Sequence, residues 1–395
     1  MDNYHEELAY QQTQHLCQWQ RFIGSEGESK AKHYIYEQFK DLGIDCESEP
    51  FTCSDFLTKI LLRIGLCLMA GLLLLSSYFF WVGSFLLSVI FAGTLIVVLL
   101  GANVLWTGSD LGARLGTQFN SENLVGHLKA RNPIPKRAVV IMSHYDTKSQ
   151  SFPLIFRITL FVIGAAGSLA LILLVFIFGL VQLFTTVNYL NGFVVLISSI
   201  IVAACNILLL LNFTGNKSVG ATDNAAAVGV QIAMSRALLD FPPENTDVFF
   251  LATSAEEIGL LGSIAFIKNH EKDFNKDSTY FLNYDVIGGE GQIILHTRYG
   301  IPPKKTCDEI NDLLLDIAKE KNLKVGTQYL PVGASADHLP ILKRGFKTTW
   351  IQTGDRKVTT KIHTSKDNMD LITKESLRTA IILGFEFIQR IDKKP

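Results

Sequence analysis

A pair of adjacent carboxylates raises the first chemical question about this 395-residue sequence. The stretch "ATSAEEIGLLGS" places Glu256 and Glu257 side by side after the apolar run "TDVFFL", and a helix is predicted to begin at Ile258. Acidic residues are common in the first turn of a helix, where they interact favourably with the helix dipole. The pair therefore leaves two interpretations open, a helix start or part of a functional site.

Four other stretches place histidine or aspartate just after an apolar run, at the start of a helix, or in the loop that follows the strand predicted at 346–353. His144 and Asp146 follow "RAVVIMS", Asp223 lies in "GATDNAAA", Asp285 follows "TYFLNY", and His363 lies in "KIHTSKD". Zinc binds imidazole nitrogen and carboxylate oxygen, and a hydrolytic zinc site keeps a position open for water. Such a site also needs one carboxylate that binds no metal and accepts the proton of the water. Adjacent glutamates could divide these two tasks, so the residues predict a metal site.

Apolar runs that alternate with helical patterns predict the scaffold for these residues. Such alternation is typical of an α/β domain with a mostly parallel, mixed sheet that helices cover on both faces. Ligands in such sheets bind just beyond the carboxyl ends of the strands. Strands are predicted at 45–51, 123–130, 137–144, 246–252, 279–286, 292–296 and 346–353, and helices at 29–41, 224–240, 304–321 and 373–391.

Two long segments carry no charged residue, 64–109 and 158–216. Each is about twice the ~20 residues that a helix needs to cross a bilayer. Each is therefore predicted to form a hairpin of two transmembrane helices, about four in total, with turns near 76–84 and 185–192. We expect an integral, multi-pass membrane protein with the lipid bilayer as a partner. The net charge of −1 gives no basic surface for nucleic acid, so no nucleic-acid partner is expected.

These segments divide the sequence into five parts. Residues 58–106 and 154–213 are predicted to be transmembrane hairpins, and 1–57, 107–153 and 214–395 are predicted to be the beginning, continuation and completion of one catalytic domain. The basic residues beside the hairpins all lie on the side of this domain, so the positive-inside rule predicts that it faces the cytoplasm. These residues are Lys59, Arg63, Arg114, Lys148, Arg157 and Lys217.

In this order, "SHYDT", "GATDNAAA", "SAEEIGLLGS", "NYDVIGG" and "IHTSKD" resemble the co-catalytic zinc aminopeptidases. These clan MH zinc exopeptidases are related to glutamate carboxypeptidases, glutaminyl cyclases and inactive receptor relatives. The resemblance implies a zinc exopeptidase fold, two zinc ions and peptide substrates that lose their N-terminal residue. A glutaminyl cyclase-like acyl transferase and a non-catalytic membrane receptor on the same fold are the alternatives.

The resemblance also implies a ligand set. It assigns His144 and Asp285 to one zinc ion and Glu257 and His363 to the other, and it makes Asp223 the bridge between them.

The remaining site residues receive roles in the same way. Glu256 would be the general base, and Asp146 would orient the imidazole of His144, as metal-bound histidines usually require. Asp337 and His338 of "SADHLP" would line the substrate pocket. The departure from the family pattern is the long apolar insertion between the "SHYDT" and "GATDNAAA" motifs. Because it interrupts the rim of the site, it predicts a pocket that faces the bilayer and membrane-proximal peptide substrates.

Overall fold

The computed structural model describes residues 3–108, 115–187, 189–331 and 335–394. Arg114, used above to predict topology, lies outside the described residues. The chain forms two compact units. The sheet unit comprises Met1–Cys53, Phe119–Ser149 and Thr214–Pro395, and the helical unit comprises Ser54–Gln118 and Gln150–Phe213.

The strands share one large sheet, except for two short strands that pair with each other. In chain order they are β1 Asp45–Ser54, β2 Gln118–Leu128, β3 Arg137–His144, β4 Ser149–Gln150, β5 Thr214–Gly215, β6 Thr246–Thr253, β7 Thr279–Tyr284, β8 Gln292–Tyr299, β9 Lys304–Lys305, β10 Val325–Leu330 and β11 Lys347–Gly354.

The helices precede, separate and follow these strands along the chain. In chain order they are α1 Asn3–Leu16, α2 Glu26–Asp41, α3 Leu62–Trp81, α4 Phe85–Gly108, α5 Leu154–Phe161, α6 Gly167–Gln182, α7 Gly192–Leu209, α8 Ala226–Asp240, α9 Leu261–His270, α10 Asp308–Glu320, α11 His338–Lys343, α12 Arg356–Lys361 and α13 Lys374–Asp392.

The strand order of the large sheet is β1-β2-β6-β3-β7-β11-β8-β10, with β9 beside β8. Strand β3 pairs in parallel with β6 and β7, and β7 pairs in parallel with β11. Strands β2 and β8 run antiparallel to their neighbours β6 and β11. The four central strands therefore have their carboxyl ends at one edge. The predicted α/β fold with a mostly parallel, mixed sheet is confirmed.

The central strand β3 shows why helices must cover both faces of this sheet. Val139 and Ile141 pack into one apolar core, and Val140 and Met142 pack into another, all of them fully buried. Successive side chains of a strand point to opposite faces, so a continuous apolar run requires a cover on both. Helices α1, α2, α8, α10 and α13 supply the first core, and α9 and α11 supply the second.

The helical unit is apolar on its surface and holds polar side chains inside. The hydroxyls of Ser76 and Ser88 each donate to the other residue's backbone oxygen at 2.9 Å. The hydroxyls of Ser77 and Ser199 lie 2.7 Å apart, and all four serines are fully buried. Outward-facing residues include Val97, which is 68% exposed. Hydrogen bonds between helices with an apolar exterior are typical of transmembrane packing.

Three helical segments in the described part of the chain are long and apolar enough to cross a membrane, Phe56–Trp81, Leu154–Gln182 and Gly192–Leu209. The sequence predicts about four such helices. The remaining apolar helix, α4, is shorter over the residues whose side chains the structure describes, Phe85–Gly101.

Several predicted boundaries differ from the observed ones. The first hairpin turn lies at 82–84, at the end of the predicted range 76–84, because Ser76 and Ser77 of that range belong to α3 and are buried inside the unit. Helix α9 begins at Leu261 rather than Ile258, since Gly259 and Leu260 have positive φ angles of 128° and 62°. Strand β10 was not predicted, because this edge strand is largely exposed and lacks a long apolar run.

Candidate metal centre

His144 is the last residue of β3, at the edge where the parallel strands end. Its ring is buried, and its Nε2 atom lies 3.2 Å from Oδ1 of Asp223 and 3.5 Å from Oδ1 of Asp285. Nδ1 lies 3.1 Å from the backbone oxygen of Asp146 and 3.5 Å from its carboxylate. The ring is thus fixed at Nδ1, and Nε2 points at a pair of carboxylates.

Asp223 lies where the chain kinks just before α8. Its φ and ψ angles are −123° and 79°, and Asn224 is also non-helical, inside the turn Ala221–Ala225. The neighbouring Asn224 donates through its amide to the backbone oxygen of Tyr284 at 3.0 Å. The kink turns the Asp223 carboxylate toward two histidines, because Oδ1 faces His144 and Oδ2 lies 3.0 Å from Nε2 of His363.

Glu256 and Glu257 follow β6 and leave the strand through a left-handed residue, Ala255, whose φ is 58°. Their backbone N–H groups donate to the two carboxylate oxygens of Asp146, each at 3.2 Å. The carboxylate of Asp146 therefore holds both glutamates. The ring of His144 is closer to the backbone oxygen of Asp146 than to its carboxylate.

The two glutamates have different surroundings. Oε2 of Glu257 lies 2.7 Å from Nζ of Lys148 and 3.3 Å from Nε2 of His363. Burial raises the pKa of Glu257, but Lys148 and His363 outweigh it and lower the pKa to about 2. Burial raises the pKa of Glu256 well above its ordinary value, and the neighbouring carboxylates, Glu257 first, add to this rise. Environments that move the pKa values of two neighbouring carboxyl groups apart in this way are typical of acid–base sites.

Two groups of side chains among the described residues could each hold a metal ion. His144, Asp223 and Asp285 form one, and Asp223, Glu257 and His363 form the other, with the ligand atoms of each group within 4.8 Å of one another. The sharing of Asp223 brings the two groups together. Glu256 belongs to neither, although its Oε2 lies 4.0 Å from Nε2 of His144.

The first group fits a metal on structural grounds. Nε2 of His144 is buried and has no hydrogen bond of acceptable geometry to any described residue, although two carboxylates surround it. A buried polar atom without a partner is unfavourable by about 1–3 kcal/mol. A cation at this position would satisfy Nε2 and the carboxylates together, and imidazole with carboxylate is a usual zinc donor set.

Asp337 and His338 lie outside both groups, at the start of α11. Asp337 is buried and accepts a hydrogen bond from Oγ1 of Thr253, the last residue of β6. His338 is also buried, and its ring stacks on Trp350 with 5.6 Å between ring centres. Burial, with a smaller contribution from the charge on His296, lowers the pKa of His338 to about 3. Its ring is therefore neutral.

Two residues that the sequence analysis did not place at the site contact it directly. Lys148 was counted as a basic residue beside a transmembrane hairpin, but its ammonium pairs with Glu257, so it is not a free flanking charge. The carboxylate of Asp367 accepts hydrogen bonds from the backbone N–H of Thr222 and Asp223 at 2.8 and 3.2 Å. The only sequence signal for Asp367 was its place in "IHTSKD".

Known proteins are similar to this chain in sequence and in fold. Residues 206–387 match the model of peptidase family M28. Aminopeptidase YwaD of Bacillus subtilis is 28% identical over 168 residues, which cover 41% of this chain and 36% of that protein. The match therefore spans about a third of the length of this curated relative.

Solved structures of enzymes extend the similarity of fold over nearly the whole chain. The zinc aminopeptidase BSAP of Bacillus subtilis has a TM-score of 0.58 at 14% identity, over 98% of this chain and 94% of its own. An aminopeptidase from Aneurinibacillus sp. strain AM-1 has 0.57 at 17% identity, over 96% and 92%. A glutaminyl cyclase from an Acidobacteriales bacterium has 0.56 at 17% identity, over 99% and 96%. The predicted resemblance to the zinc aminopeptidases is confirmed, and an enzyme of the zinc aminopeptidase type is supported.

Proposed function

Because residues 206–387 match the M28 peptidases, we propose that this chain is a membrane-bound zinc aminopeptidase that removes N-terminal residues from peptides. One observation carries the proposal. Two groups of potential metal ligands share Asp223, and a buried carboxylate that belongs to neither group, Glu256, lies beside them. This arrangement matches the needs of a two-metal hydrolase, which are two adjacent metals and a separate proton acceptor.

In this proposal, two zinc ions divide the ligands. His144 and Asp285 would hold one ion, Glu257 and His363 would hold the other, and Asp223 would bind both. When bound, such ions lower the pKa of water and polarise the carbonyl group of the substrate.

The protein's own side chains would transfer the proton, position the site and contact the substrate. Glu256 would accept the proton of the attacking water at its carboxylate and donate it to the nitrogen of the departing peptide. Burial raises the pKa of Glu256, and a raised pKa makes its carboxylate a stronger proton acceptor. The carboxylate of Asp146 would hold Glu256 and Glu257 in position, because it accepts hydrogen bonds from their backbone N–H groups. Asp337 and His338 would contact the substrate.

A glutaminyl cyclase-like acyl transferase is the second candidate, because glutaminyl cyclases are among the proteins with this fold. A cyclase of this kind would need only a single zinc ion. Both ligand groups are complete here, which favours the aminopeptidase. The complete groups also disfavour a non-catalytic receptor.

Metal content and product together distinguish these functions. We expect the purified full-length chain to bind about two zinc ions and to release the first residue from an aminoacyl reporter peptide. About one zinc ion, with a cyclised product from a glutaminyl peptide, would favour the cyclase. A chain that binds no zinc and processes neither substrate would support the receptor and contradict the proposal.

The contacts of Asp367 lead to a prediction about metal affinity. Replacing Asp367 with alanine leaves the N–H groups of Thr222 and Asp223 without their acceptor, which costs about 1–3 kcal/mol each. Because Asp223 would then be free to turn, we expect zinc affinity to fall about 10–100-fold. Competition with a chromophoric chelator measures this. Asp370→Ala, an exposed carboxylate in the same segment, should leave the affinity unchanged; an equal loss would contradict the prediction.

We further propose that the chain is an integral multi-pass protein with its catalytic domain in the cytoplasm. The proposal is supported by three helices of sufficient length and by the basic residues around them. The loop before α7 offers a labelling site on the far side of the hairpin, because Tyr189 is 57% exposed and can carry the probe.

Cysteine labelling tests this orientation. In a background without the six native cysteines, we expect Tyr189→Cys to react with an impermeant reagent added to intact cells. Lys324→Cys, in the sheet unit, should react only after permeabilisation. The reverse pattern would place the catalytic domain on the other side of the membrane.

The chain connectivity supports a membrane-proximal substrate. The chain leaves the sheet unit soon after His144, at Gln150, and re-enters it at Thr214, shortly before Asp223. We therefore propose that apolar or membrane-bound peptides are preferred. In liposomes that contain the full-length chain, a lipid-tethered aminoacyl reporter should be hydrolysed faster than its water-soluble form. Equal turnover of the two reporters would contradict this preference.

A further inference from the structure

A buried arginine lies between the two chain segments that carry His144 and Asp223. Arg21 follows α1 and is 0% exposed. It makes no ion pair within the described residues, and its guanidinium donates instead to backbone oxygens. These five acceptors are the carbonyl oxygens of Leu16, Trp19, Tyr145, Val219 and Gly220.

Three of these acceptors come from the ligand-bearing segments. Nε donates to the oxygen of Tyr145, the residue after His144, at 2.7 Å. Nη1 and Nη2 donate to the oxygens of Val219 and Gly220 at 2.7 and 3.1 Å, shortly before Asp223. One planar side chain therefore binds both segments at once.

The backbone of Arg21 also connects the segments that carry His144 and Asp223. The N–H of Arg21 donates to Oγ1 of Thr147 at 2.9 Å, and the N–H of Thr147 donates to the oxygen of Arg21 at 3.0 Å. Oγ1 of Thr147 in turn donates to the oxygen of Ser218 at 3.3 Å. The N–H of the next residue, Phe22, donates to Oδ1 of Asn216 at 3.2 Å. The segment Arg21–Phe22 thus contacts both ligand-bearing segments, through its backbone and through the side chain of Arg21.

The insertion explains why such a link would be needed. The two segments are separated along the chain by Gln150–Phe213, all of which belongs to the helical unit. A short loop holds its ends at a fixed distance, whereas a long connection constrains them little. The pairing of β4 with β5 brings the two ends of the insertion together. Contacts within the sheet unit, those of Arg21 among them, then help to set the distance between Nε2 of His144 and Oδ1 of Asp223, which is 3.2 Å.

We propose that Arg21 is a positioning residue that holds the His144 and Asp223 segments at the separation their shared metal ion requires. This inference rests on the proposed function. Its chemistry is specific to arginine, because the planar guanidinium directs several N–H groups at once, whereas a lysine ammonium is a compact point charge on a flexible stem. Burial lowers the pKa of the Arg21 guanidinium, and nearby groups, among them the carboxylates of Asp367, Asp146 and Asp223, offset only part of this effect.

Zinc affinity and the spectrum of bound cobalt test the inference in the full-length chain. We expect Arg21→Met and Arg21→Lys to weaken zinc binding at least about tenfold in chelator competition. The visible absorption of the Co²⁺-loaded protein should also change, because it reports the geometry of the ligands. Leu314→Ala serves as the matched control, since it opens a cavity in the core under α10 and touches no ligand segment. It should lower the unfolding temperature and leave affinity and spectrum unchanged.

A milder variant covers the case in which neither Arg21 variant folds. Thr147→Val removes the hydroxyl that links Arg21 to Ser218, and it should shift affinity and spectrum in the same direction by a smaller amount. If the folded Arg21 variants keep wild-type affinity and spectrum, the inference is overturned and the proposed function is not. If no Arg21 variant folds, the same result for Thr147→Val overturns it. Equal changes in Leu314→Ala would overturn it as well, because they would reflect general stability. A wild-type chain that binds no zinc would overturn the proposed function and this inference with it.

Discussion

Glu256→Gln is expected to lower the rate of peptide hydrolysis by about 10²–10⁴-fold, the usual contribution of a general base, while the metal content stays at the wild-type level. The glutamine keeps the size of the side chain but cannot accept the proton of the water. Glu256 belongs to neither ligand group, so the groups should remain intact. The backbone of residue 256 also keeps its hydrogen bond to Asp146. Turnover of an aminoacyl reporter and zinc per chain, measured on one preparation, check both statements.

Glu257→Gln is the matched control for this experiment. It makes the same chemical change in the adjacent residue, whose carboxylate lies 3.3 Å from Nε2 of His363. We expect this variant to bind less zinc, because one ligand of the second group is lost. If Glu256→Gln lost zinc, or if Glu257→Gln kept its zinc and lost only rate, the two roles would be reversed.

Asp223→Ala is expected to have the largest effect on metal binding. Asp223 is the only described residue shared by both ligand groups, with one carboxylate oxygen facing each histidine. Its removal should therefore lower the zinc content at both positions and reduce hydrolysis to the background rate. Elemental analysis after gel filtration measures the zinc, and circular dichroism confirms that the chain is folded.

His363→Ala tests whether the loss of a ligand that belongs to one group releases less zinc than the loss of the shared ligand Asp223. This histidine belongs only to the second group, so its removal should release about half of the bound zinc, as expected if each ion has its own ligands. Equal zinc content in Asp223→Ala and His363→Ala would argue against a bridging role for Asp223.

The sequence predicted the scaffold well where long apolar runs coincide with buried strands. The limits of β3 match the prediction at 137–144, because every residue from Val139 to Met142 is buried and a polar loop follows. Most members of the two ligand groups could be selected because they follow such a run or precede a helix, and His363 because it lies in the loop after the strand predicted at 346–353. Their actual juxtaposition depends on the parallel pairing of β3, β6 and β7, which brings distant residues to one edge.

Contacts that depend on loop conformation could not be predicted. Lys148 was read from its position beside a hairpin, and only the folded loop shows that its ammonium pairs with Glu257. Asp367 and Arg21 act through backbone atoms of other segments, which carry no residue-specific signal. The positive φ angles of Ala255 and His363 could not be predicted either. Glycine in a sequence indicates a possible left-handed turn, whereas alanine and histidine do not.

The division of the sheet unit into three chain segments has a consequence for synthesis. Strands β2 and β3 precede the second apolar insertion, and their shared partner β6 follows it. A nascent chain that has just completed the last apolar helix still lacks β6, so β2 and β3 expose unpaired edges that favour aggregation. If the apolar helices span a bilayer, as proposed, they are made before the central sheet can close. We then expect assembly of this chain on the ribosome to begin with membrane insertion, and a delay in insertion should appear as aggregation of the strand segments.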